Sequence, residues 1–236
     1  MERILLEFED VYSRNDENFK LYGITFAIPA GYIMGLMGEN GAGKSTLFNY
    51  ILNDKKRYSK GVIRVDGVDI REDHGAIKNK IGFVSEDNVF FENMTAMQNA
   101  QLLGIFYDEF DMELFKNSMK EMEVSTGTNY SRMSRGEKLK FQMAFAMAHK
   151  PVIYLLDEVT VGMDPVFRMD FFKVLQEVIK DEQASVLMTS HIESEMERKT
   201  DYLGIMENGE IIKFGESLDV VSGTEEEEWN EEGNGN

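Results

Sequence analysis

Residues 38–46 read Gly-Glu-Asn-Gly-Ala-Gly-Lys-Ser-Thr, and this stretch decides the fold that we predict. An apolar run precedes it and apolar residues at helical spacing follow it, which predicts a strand, a glycine-rich loop and a helix. Backbone N–H groups at a helix N-terminus bind phosphate, and glycines give the ligand room to approach. The stretch matches the G-x-x-x-x-G-K-[ST] pattern of such phosphate-binding loops. The residues predicted to hold the phosphates are Asn40, Gly41, Ala42, Gly43, Lys44, Ser45 and Thr46.

Two side chains of this loop have specific predicted roles. Lys44 is expected to reach the β- and γ-phosphates of a nucleoside triphosphate, and the Ser45 hydroxyl to bind Mg²⁺. The alternative is a glycine-rich turn with an unrelated lysine, which the complete pattern and its flanks disfavour. The loop therefore indicates a nucleotide-binding protein.

Composition narrows the class of protein and its partners. The chain has 236 residues, a formal net charge of -18, 42% hydrophobic residues and no cysteine. This length suits one large α/β domain or a domain with an inserted subdomain. The negative charge disfavours nonspecific binding to nucleic acid or anionic lipid. We expect no membrane-spanning helix, no export signal and no disulfide, and hence a cytosolic location.

Strand and helix signals alternate along the rest of the chain. Residues 88–150 are dominated by helix formers and rich in methionine, either as adaptable core filler, which we favour, or as a groove for a partner helix. Helices are also predicted after the phosphate loop to about Leu52, from about Lys138 to Ala148 and from Phe171 to Ile179. Strands are predicted at two segments within 1–29 and at 31–37, 61–67, 81–84, 151–156, 185–189, 202–206 and 211–214.

Two carboxylates follow the apolar run at 151–156, which is typical of a buried parallel strand. Since ligands of open α/β sheets bind beyond the carboxyl ends of the strands, Asp157 and Glu158 are expected to face the nucleotide. Asp157 is predicted to act on Mg²⁺ directly or through water, and Glu158 to polarise the attacking water as a general base. The alternative is that the two carboxylates simply lie at a solvent-exposed edge of the strand.

Five segments follow one another along the chain: residues 38–46, 133–137, 152–157 with Glu158 after them, 162–164 and 189–191. In this order they resemble Walker A, the signature, Walker B, the D-loop and the switch-histidine segment of the nucleotide-binding subunit of an ABC transporter, and the resemblance covers about residues 2–220. The Asn-Lys-x-Asp pattern that specifies guanine is missing from the sequence, because residues 79–82 read Asn-Lys-Ile-Gly.

The resemblance implies the fold class and its division. It implies an α/β P-loop NTPase (RecA-like) core with an N-terminal antiparallel β subdomain and an inserted α-helical subdomain. Residues 1–222 would form one nucleotide-binding domain, with the core and β subdomain at 1–87 and 151–222 and the helical subdomain at 88–150. Residues 223–236, which are acidic and include Trp229, are predicted to be a disordered tail.

The resemblance also implies a composite site, in which two subunits close head-to-tail around two ATP molecules and their Mg²⁺ ions. His191 would contact the γ-phosphate and hold Glu158 with its water, and Asp164 would link the two sites. His74 and His149 are expected to be structural. The signature that would complete the second subunit's site consists of Ser134, Arg135, Gly136 and Glu137.

Several positions depart from the commonest family pattern. Glu86 stands where a glutamine is usual, and could still meet Mg²⁺ through an oxygen. Arg135 replaces a signature glycine, and whether it meets phosphate or solvent is open. Both replacements resemble the ABC-2-type exporter branch. Asn15 stands where an aromatic residue usually stacks on adenine, which leaves Tyr12 or Phe19 as candidates.

The implied function is an ATPase that drives a separate integral-membrane permease, as a homodimer or as a heterodimer with a second ATP-binding subunit. The chain would be cytoplasmic and peripheral on the inner face of the membrane, and would power export of peptide, antibiotic or lipid. The permease would dock near residues 86–100. Two alternatives are a soluble ABC ATPase acting on a cytosolic assembly and a catalytically inactive regulatory module, which the intact Lys44, Asp157 and Glu158 disfavour. We expect no nucleic-acid partner.

Overall fold

The computed structural model describes residues 2–14, 19–53, 58–86, 90–160, 162–190, 196 and 198–220. Its strands are β1 (Ile4–Tyr12), β2 (Ile24–Pro29), β3 (Ile33–Met37), β4 (Lys60–Val65), β5 (Val68–Asp69), β6 (Ile81–Ser85), β7 (Ile153–Asp157), β8 (Ser185–Ser190), β9 (Tyr202–Glu207) and β10 (Glu210–Glu216). Helices are α1 (Lys44–Leu52), α2 (His74–Asn79), α3 (Ala96–Leu103), α4 (Met112–Glu121), α5 (Arg135–Ala148) and α6 (Pro165–Ile179), with 3-10 turns at Gly104–Phe106 and Tyr130–Arg132.

The strands form two sheets, which confirms the predicted mixed α/β fold. An antiparallel sheet has the order β2-β1-β4-β5, and a six-stranded sheet has the order β10-β9-β3-β8-β7-β6. In the larger sheet β9, β3, β8, β7 and β6 run parallel, and β10 pairs antiparallel at the edge. Because β3, β7 and β8 are neighbours, the segments that follow them meet at one edge.

The methionine-rich stretch contributes to the core. Met119, Met122, Met133 and Met143 are buried with the aromatic side chains of α4 and α5. Met112 and Met147 pack partly buried against the same cluster. This burial favours the interpretation of these methionines as core filler, the use to which their flexible side chains are suited.

Helix starts differ from the sequence predictions. Helix α5 begins at Arg135 and not near Lys138, because Ser134 caps it and forms a reciprocal capping box with Glu137. Helix α6 begins at Pro165 and not at Phe171, because Asp164 is its N-cap and proline suits the first helical position. Helix α2 was not predicted.

Some predictions concern residues outside the described ranges. Asn15, His191, Trp229 and the tail at 223–236 belong to this group. Among the described residues, no helix combines the length and the apolar character needed to cross a membrane.

Candidate functional site

The glycine-rich loop joins the end of β3 to the start of α1, as the sequence predicts. Gly41 and Gly43 have φ angles of 87° and 117°, a region that L side chains rarely adopt. A Cβ on Gly38 would lie 2.4 Å from the Met206 carbonyl oxygen. The turn between β9 and β10 also supports the loop, since the Gly209 N–H donates to the Ala42 carbonyl at 2.9 Å. The loop backbone therefore needs glycine, and the hairpin of β9 and β10 supports it.

Lys44 is buried at the first position of α1. Its Nζ donates to the carbonyl oxygens of Gly38 at 2.6 Å and Glu39 at 3.1 Å. The same Nζ lies 3.4 Å from Glu158 Oε1. The ammonium group is thus fixed beneath its own loop and next to the carboxylate predicted as general base.

The carboxylate of Asp157 lies between the loop and the neighbouring strand. Its Oδ2 accepts a hydrogen bond from the Ser45 hydroxyl at 3.2 Å, and its Oδ1 accepts one from the Thr189 hydroxyl at 2.7 Å. Hydroxyl and carboxylate oxygens are the donors that Mg²⁺ prefers. The Ser45 and Asp157 side chains therefore fit a magnesium ion.

Thr189 also orients Glu158, a role that we did not predict from the sequence. Its Oγ1 accepts the Glu158 N–H at 3.0 Å, and Glu158 has a φ angle of 51°. The Thr189 side chain is fully buried. The sequence signal for this role was a polar residue near the end of an apolar run. Only the register of β7 and β8 shows that Thr189 lies opposite Asp157.

Lys44, Ser45, Asp157 and Glu158 line one cavity of about 510 Å³, a size that suits a small-molecule ligand. Four separate segments of the chain contribute to it. The lining residues are Phe19, Asn40, Gly41, Gly43, Lys44, Ser45, Thr46, Ser85, Glu86, Asp157 and Glu158.

Only one of the two aromatic candidates for the adenine lines this cavity. The Phe19 ring packs on the loop, since a Cβ on Gly43 would lie 2.7 Å from Phe19 Cε1. The Tyr12 ring centroid instead lies 5.1 Å from the Lys60 Nζ, and a Cβ on Gly23 would lie 3.0 Å from the Tyr12 hydroxyl. The geometry therefore favours Phe19.

The predicted signature residues lie at the start of α5, and none of them is among the lining residues. The Ser134 Oγ accepts the Glu137 N–H at 3.3 Å, and the Glu137 carboxylate accepts the Ser134 N–H at 2.8 Å. These hydrogen bonds lower the pKa of Glu137. Gly136 allows α6 to approach, because a Cβ there would lie 2.9 Å from the Phe167 ring.

Glu86 and Asp164, whose predicted partners are Mg²⁺ and a second subunit, each contact groups of their own chain. The Glu86 carboxylate pairs with the Arg135 guanidinium of the same chain and not with Ser45 or Asp157. Asp164 accepts the N–H groups of Val166 at 3.1 Å and Phe167 at 2.9 Å as the cap of α6. The magnesium contact predicted for Glu86 stays a prediction.

A buried glutamine, Gln142, fixes the strand end next to Glu86, and this role also escaped the sequence analysis. Its Oε1 accepts the Ser85 N–H at 3.1 Å, and its Nε2 donates to the Tyr130 hydroxyl at 3.2 Å. The sequence signal for this role was a single amide side chain among the apolar residues of α5. Gln142 ties this helix to the end of β6.

The strand, glycine loop and helix, with Lys44 under the loop and Asp157 on a neighbouring strand, define a P-loop nucleotide-binding protein. A family model described as ABC transporter matches residues 21–161. The chain belongs to this family, as the motifs predict. It is an ATP-binding subunit of the ABC type and an ATPase.

Two curated relatives come from Bacillus subtilis (strain 168). The linearmycin resistance ATP-binding protein LnrL is 30% identical over 223 residues, which cover 92% of this chain and 71% of LnrL. The ABC transporter ATP-binding protein NatA is 31% identical over 199 residues, which cover 81% of this chain and 80% of NatA.

Two solved structures share the fold. One is titled as the structure of the ATP-binding subunit of an ABC transporter, with a TM-score of 0.82, 24% identity, and coverage of 94% of this chain and 93% of that chain. The other is the dimeric, post-hydrolysis ATP-binding cassette MJ0796 bound to ADP and phosphate, with a TM-score of 0.77, 20% identity, and coverage of 90% and 99%.

Proposed function

We propose that this chain powers an export permease by closing on a second ATP-binding subunit around ATP and Mg²⁺ and reopening after hydrolysis. The observation that carries the proposal is that Lys44, Ser45, Asp157 and Glu158 meet around one cavity. Lys44 supplies a cation for phosphate. Ser45 and Asp157 supply two oxygen ligands for a metal, and Glu158 supplies a base for the attacking water. Phosphoryl transfer to water needs this set.

Each side chain has a separate task in this proposal. Lys44 and the backbone N–H groups of the loop hold the β- and γ-phosphates. Ser45 and Asp157 hold Mg²⁺, which when bound neutralises charge on the phosphates. Glu158 accepts a proton from the attacking water, and Thr189 holds the backbone N–H of Glu158 in place. The role of His191 at the γ-phosphate stays a prediction.

The signature supplies the other half of the site in a second subunit. Helix α5 begins outside the subunit's own cavity, and the first N–H groups of a helix have no intrahelical acceptor. Ser134 and Gly136 are therefore suited to meet the phosphates of a partner's nucleotide. Such dimers contain either two copies of this chain or one copy and a paralogue.

A cluster of exposed apolar side chains is suited to dock the permease. Phe91, Leu102, Ile105 and Phe106 are 48%, 40%, 73% and 73% exposed around α3 and the 3-10 turn after it. Exposed apolar clusters mark interaction surfaces. The docked subunit would be peripheral on the inner face of the membrane. The linearmycin resistance relative favours an antibiotic-like cargo.

Glu158→Gln tests the hydrolytic step. The variant keeps the size of the side chain but cannot take a proton, so it should nearly abolish turnover and trap an ATP-bound dimer, measured by phosphate release and size-exclusion chromatography. Glu177→Gln is a matched control, because Glu177 is exposed and its carboxylate pairs with Lys180 at the surface of the chain. Unchanged hydrolysis by Glu158→Gln would refute the role of Glu158 as base.

Phe106→Asp tests the permease surface. The variant should no longer co-purify with an integral-membrane subunit when the chain is isolated from detergent-solubilised membranes of its own cells. Leu218→Asp is the control, because Leu218 is 79% exposed and lies far along the chain. Recovery of the wild-type chain only in a soluble complex would favour the alternative, an ABC ATPase of a cytosolic assembly.

Phe19→Ala and Tyr12→Ala test the adenine contact. Stacking of a base on an aromatic ring contributes about 1–3 kcal/mol, so Phe19→Ala should weaken ATP binding by roughly 5- to 150-fold. Tyr12→Ala should bind ATP like the wild type, as measured by isothermal titration calorimetry. Equal affinities of the two variants would show that Phe19 does not stack on the base.

A further inference from the structure

Two residues of opposite charge lie together in this structure. Glu86 follows β6, and Arg135 begins α5. The Arg135 guanidinium pairs with the Glu86 carboxylate within the same chain. Each charge of this pair compensates the other.

The position of this pair connects three segments around the nucleotide cavity. Glu86 lines the cavity, whereas Arg135 does not. The Arg135 side chain also lies against the D-loop backbone, because a Cβ on Gly162 would be 2.8 Å from Arg135 Nη1. One side chain at the start of α5 thus meets both the residue that follows β6 and the segment before α6.

We propose that Arg135 is a positioning residue that acts within its own subunit. It holds the Glu86 carboxylate away from the magnesium site at Ser45 and Asp157. It also ties the cavity of one subunit to the start of α5, which faces the nucleotide of the second subunit. This inference rests on the proposed function, since it assumes that the cavity binds nucleotide with Mg²⁺.

The physical argument concerns the availability of one carboxylate. A carboxylate paired with a guanidinium has part of its charge neutralised and some of its lone pairs occupied. Loss of Arg135 therefore leaves an extra negative charge at the rim of the magnesium site. The two side chains are 43% and 50% exposed. Solvent screens such a pair, so we expect an increase in Mg²⁺ affinity of about two- to fivefold and no more.

A phosphate-binding role for Arg135 in the second subunit makes a different prediction. Its loss would weaken the ATP-bound dimer and leave the Mg²⁺ affinity of a single subunit unchanged. The two roles can therefore be separated in monomeric protein with ADP, where no second subunit takes part.

The experiment titrates Mg²⁺ into monomeric protein saturated with a fluorescent ADP analogue. It compares the wild type with Arg135→Gly, Glu86→Gln and the double variant. Arg135→Gly should lower the Mg²⁺ dissociation constant two- to fivefold, but have no effect in the Glu86→Gln background. Arg132→Gly is the matched control, since it removes an exposed arginine three residues away and should leave the constant unchanged. An equal change in both backgrounds, or no change in either, would overturn the proposal.

A second measurement needs no nucleotide and separates failure of the inference from failure of the proposed function. The same four proteins are unfolded in urea, and the unfolding constants form a double-mutant cycle. A coupling of up to about fivefold between positions 86 and 135 supports the ion pair. Recovery of stability in the exchanged pair, Glu86→Arg with Arg135→Glu, supports it as well. Absence of coupling refutes it. Lack of ADP binding in every variant would refute the proposed function while the cycle still tests the pair.

Discussion

Thr189→Val should damage both the stability and the catalytic step, because one buried hydroxyl serves two neighbours. The Thr189 Oγ1 donates to Asp157 Oδ1 at 2.7 Å and accepts the Glu158 N–H at 3.0 Å. Valine has nearly the same shape but no hydroxyl. A hydrogen bond to a charged acceptor contributes about 1.5–3 kcal/mol, and a buried donor without a partner costs about 1–3 kcal/mol.

Since the Glu158 backbone is only partly buried and water can reach it, the expected loss of unfolding free energy is about 2–4 kcal/mol. For a chain of this size this corresponds to a fall in Tm of roughly 4–16 °C. The kcat for ATP should fall about 10- to 100-fold, because Asp157 and Glu158 lose a fixed orientation. The KM should change less, since the phosphate loop is intact.

Thr189→Ser is the matched control, because it keeps the hydroxyl and loses only a buried methyl group. It should cost about 1 kcal/mol in stability and retain most of the kcat. The assays are thermal unfolding by circular dichroism and steady-state phosphate release. A wild-type kcat for Thr189→Val, or an equal loss of kcat in both variants, would refute the reasoning.

Three further predictions concern polar groups of helix α5 and its C-cap. Gln142→Leu removes the acceptor of the Ser85 N–H and should lower the unfolding free energy by about 1–3 kcal/mol in urea. Hydrogen bonds to Ser134 lower the pKa of Glu137, so Glu137→Gln should be less stable than the wild type at neutral pH, and this difference should vanish as the pH falls below 4.5 and through the lowered pKa. Burial lowers the pKa of His149 below 6.5, so the unfolded chain binds the proton more readily and stability should decrease as the pH falls below 6.5; a His149→Phe chain with the same pH slope would contradict this.

Local patterns allowed much of the fold and part of the site to be predicted. The loop at 38–46 has a fixed pattern because backbone geometry requires its glycines, and the apolar runs predicted β3, β6, β7 and β8. The apolar runs at 202–206 and 211–214 also predicted the two strands β9 and β10, which pair as an antiparallel hairpin.

Helix starts were predicted late because we placed them at the first apolar periodicity. The cap residues Ser134 and Asp164 stand several positions earlier and begin α5 and α6. Helix α2 has six residues and lacks a full period of apolar positions, so its pattern was too short to detect.

Contacts between distant segments could not be predicted from local patterns. The partner of Thr189 depends on the register of β7 and β8, and the choice between Phe19 and Tyr12 depends on how the chain returns to the loop. The pair of Glu86 with Arg135 joins a strand end to a helix start. Such contacts are set by tertiary packing.

The position of β3 in the larger sheet also restricts when the phosphate loop can be completed during synthesis. Strand β3 pairs with β8 on one side and β9 on the other, both near the end of the described chain. The Gly209 N–H then supports Ala42 from the last turn. Because a ribosome releases the N-terminal part of a chain first, β3 emerges before β8 and β9, the two strands with which it pairs. The nascent chain therefore cannot bind nucleotide in the native way until its last hairpin has been made.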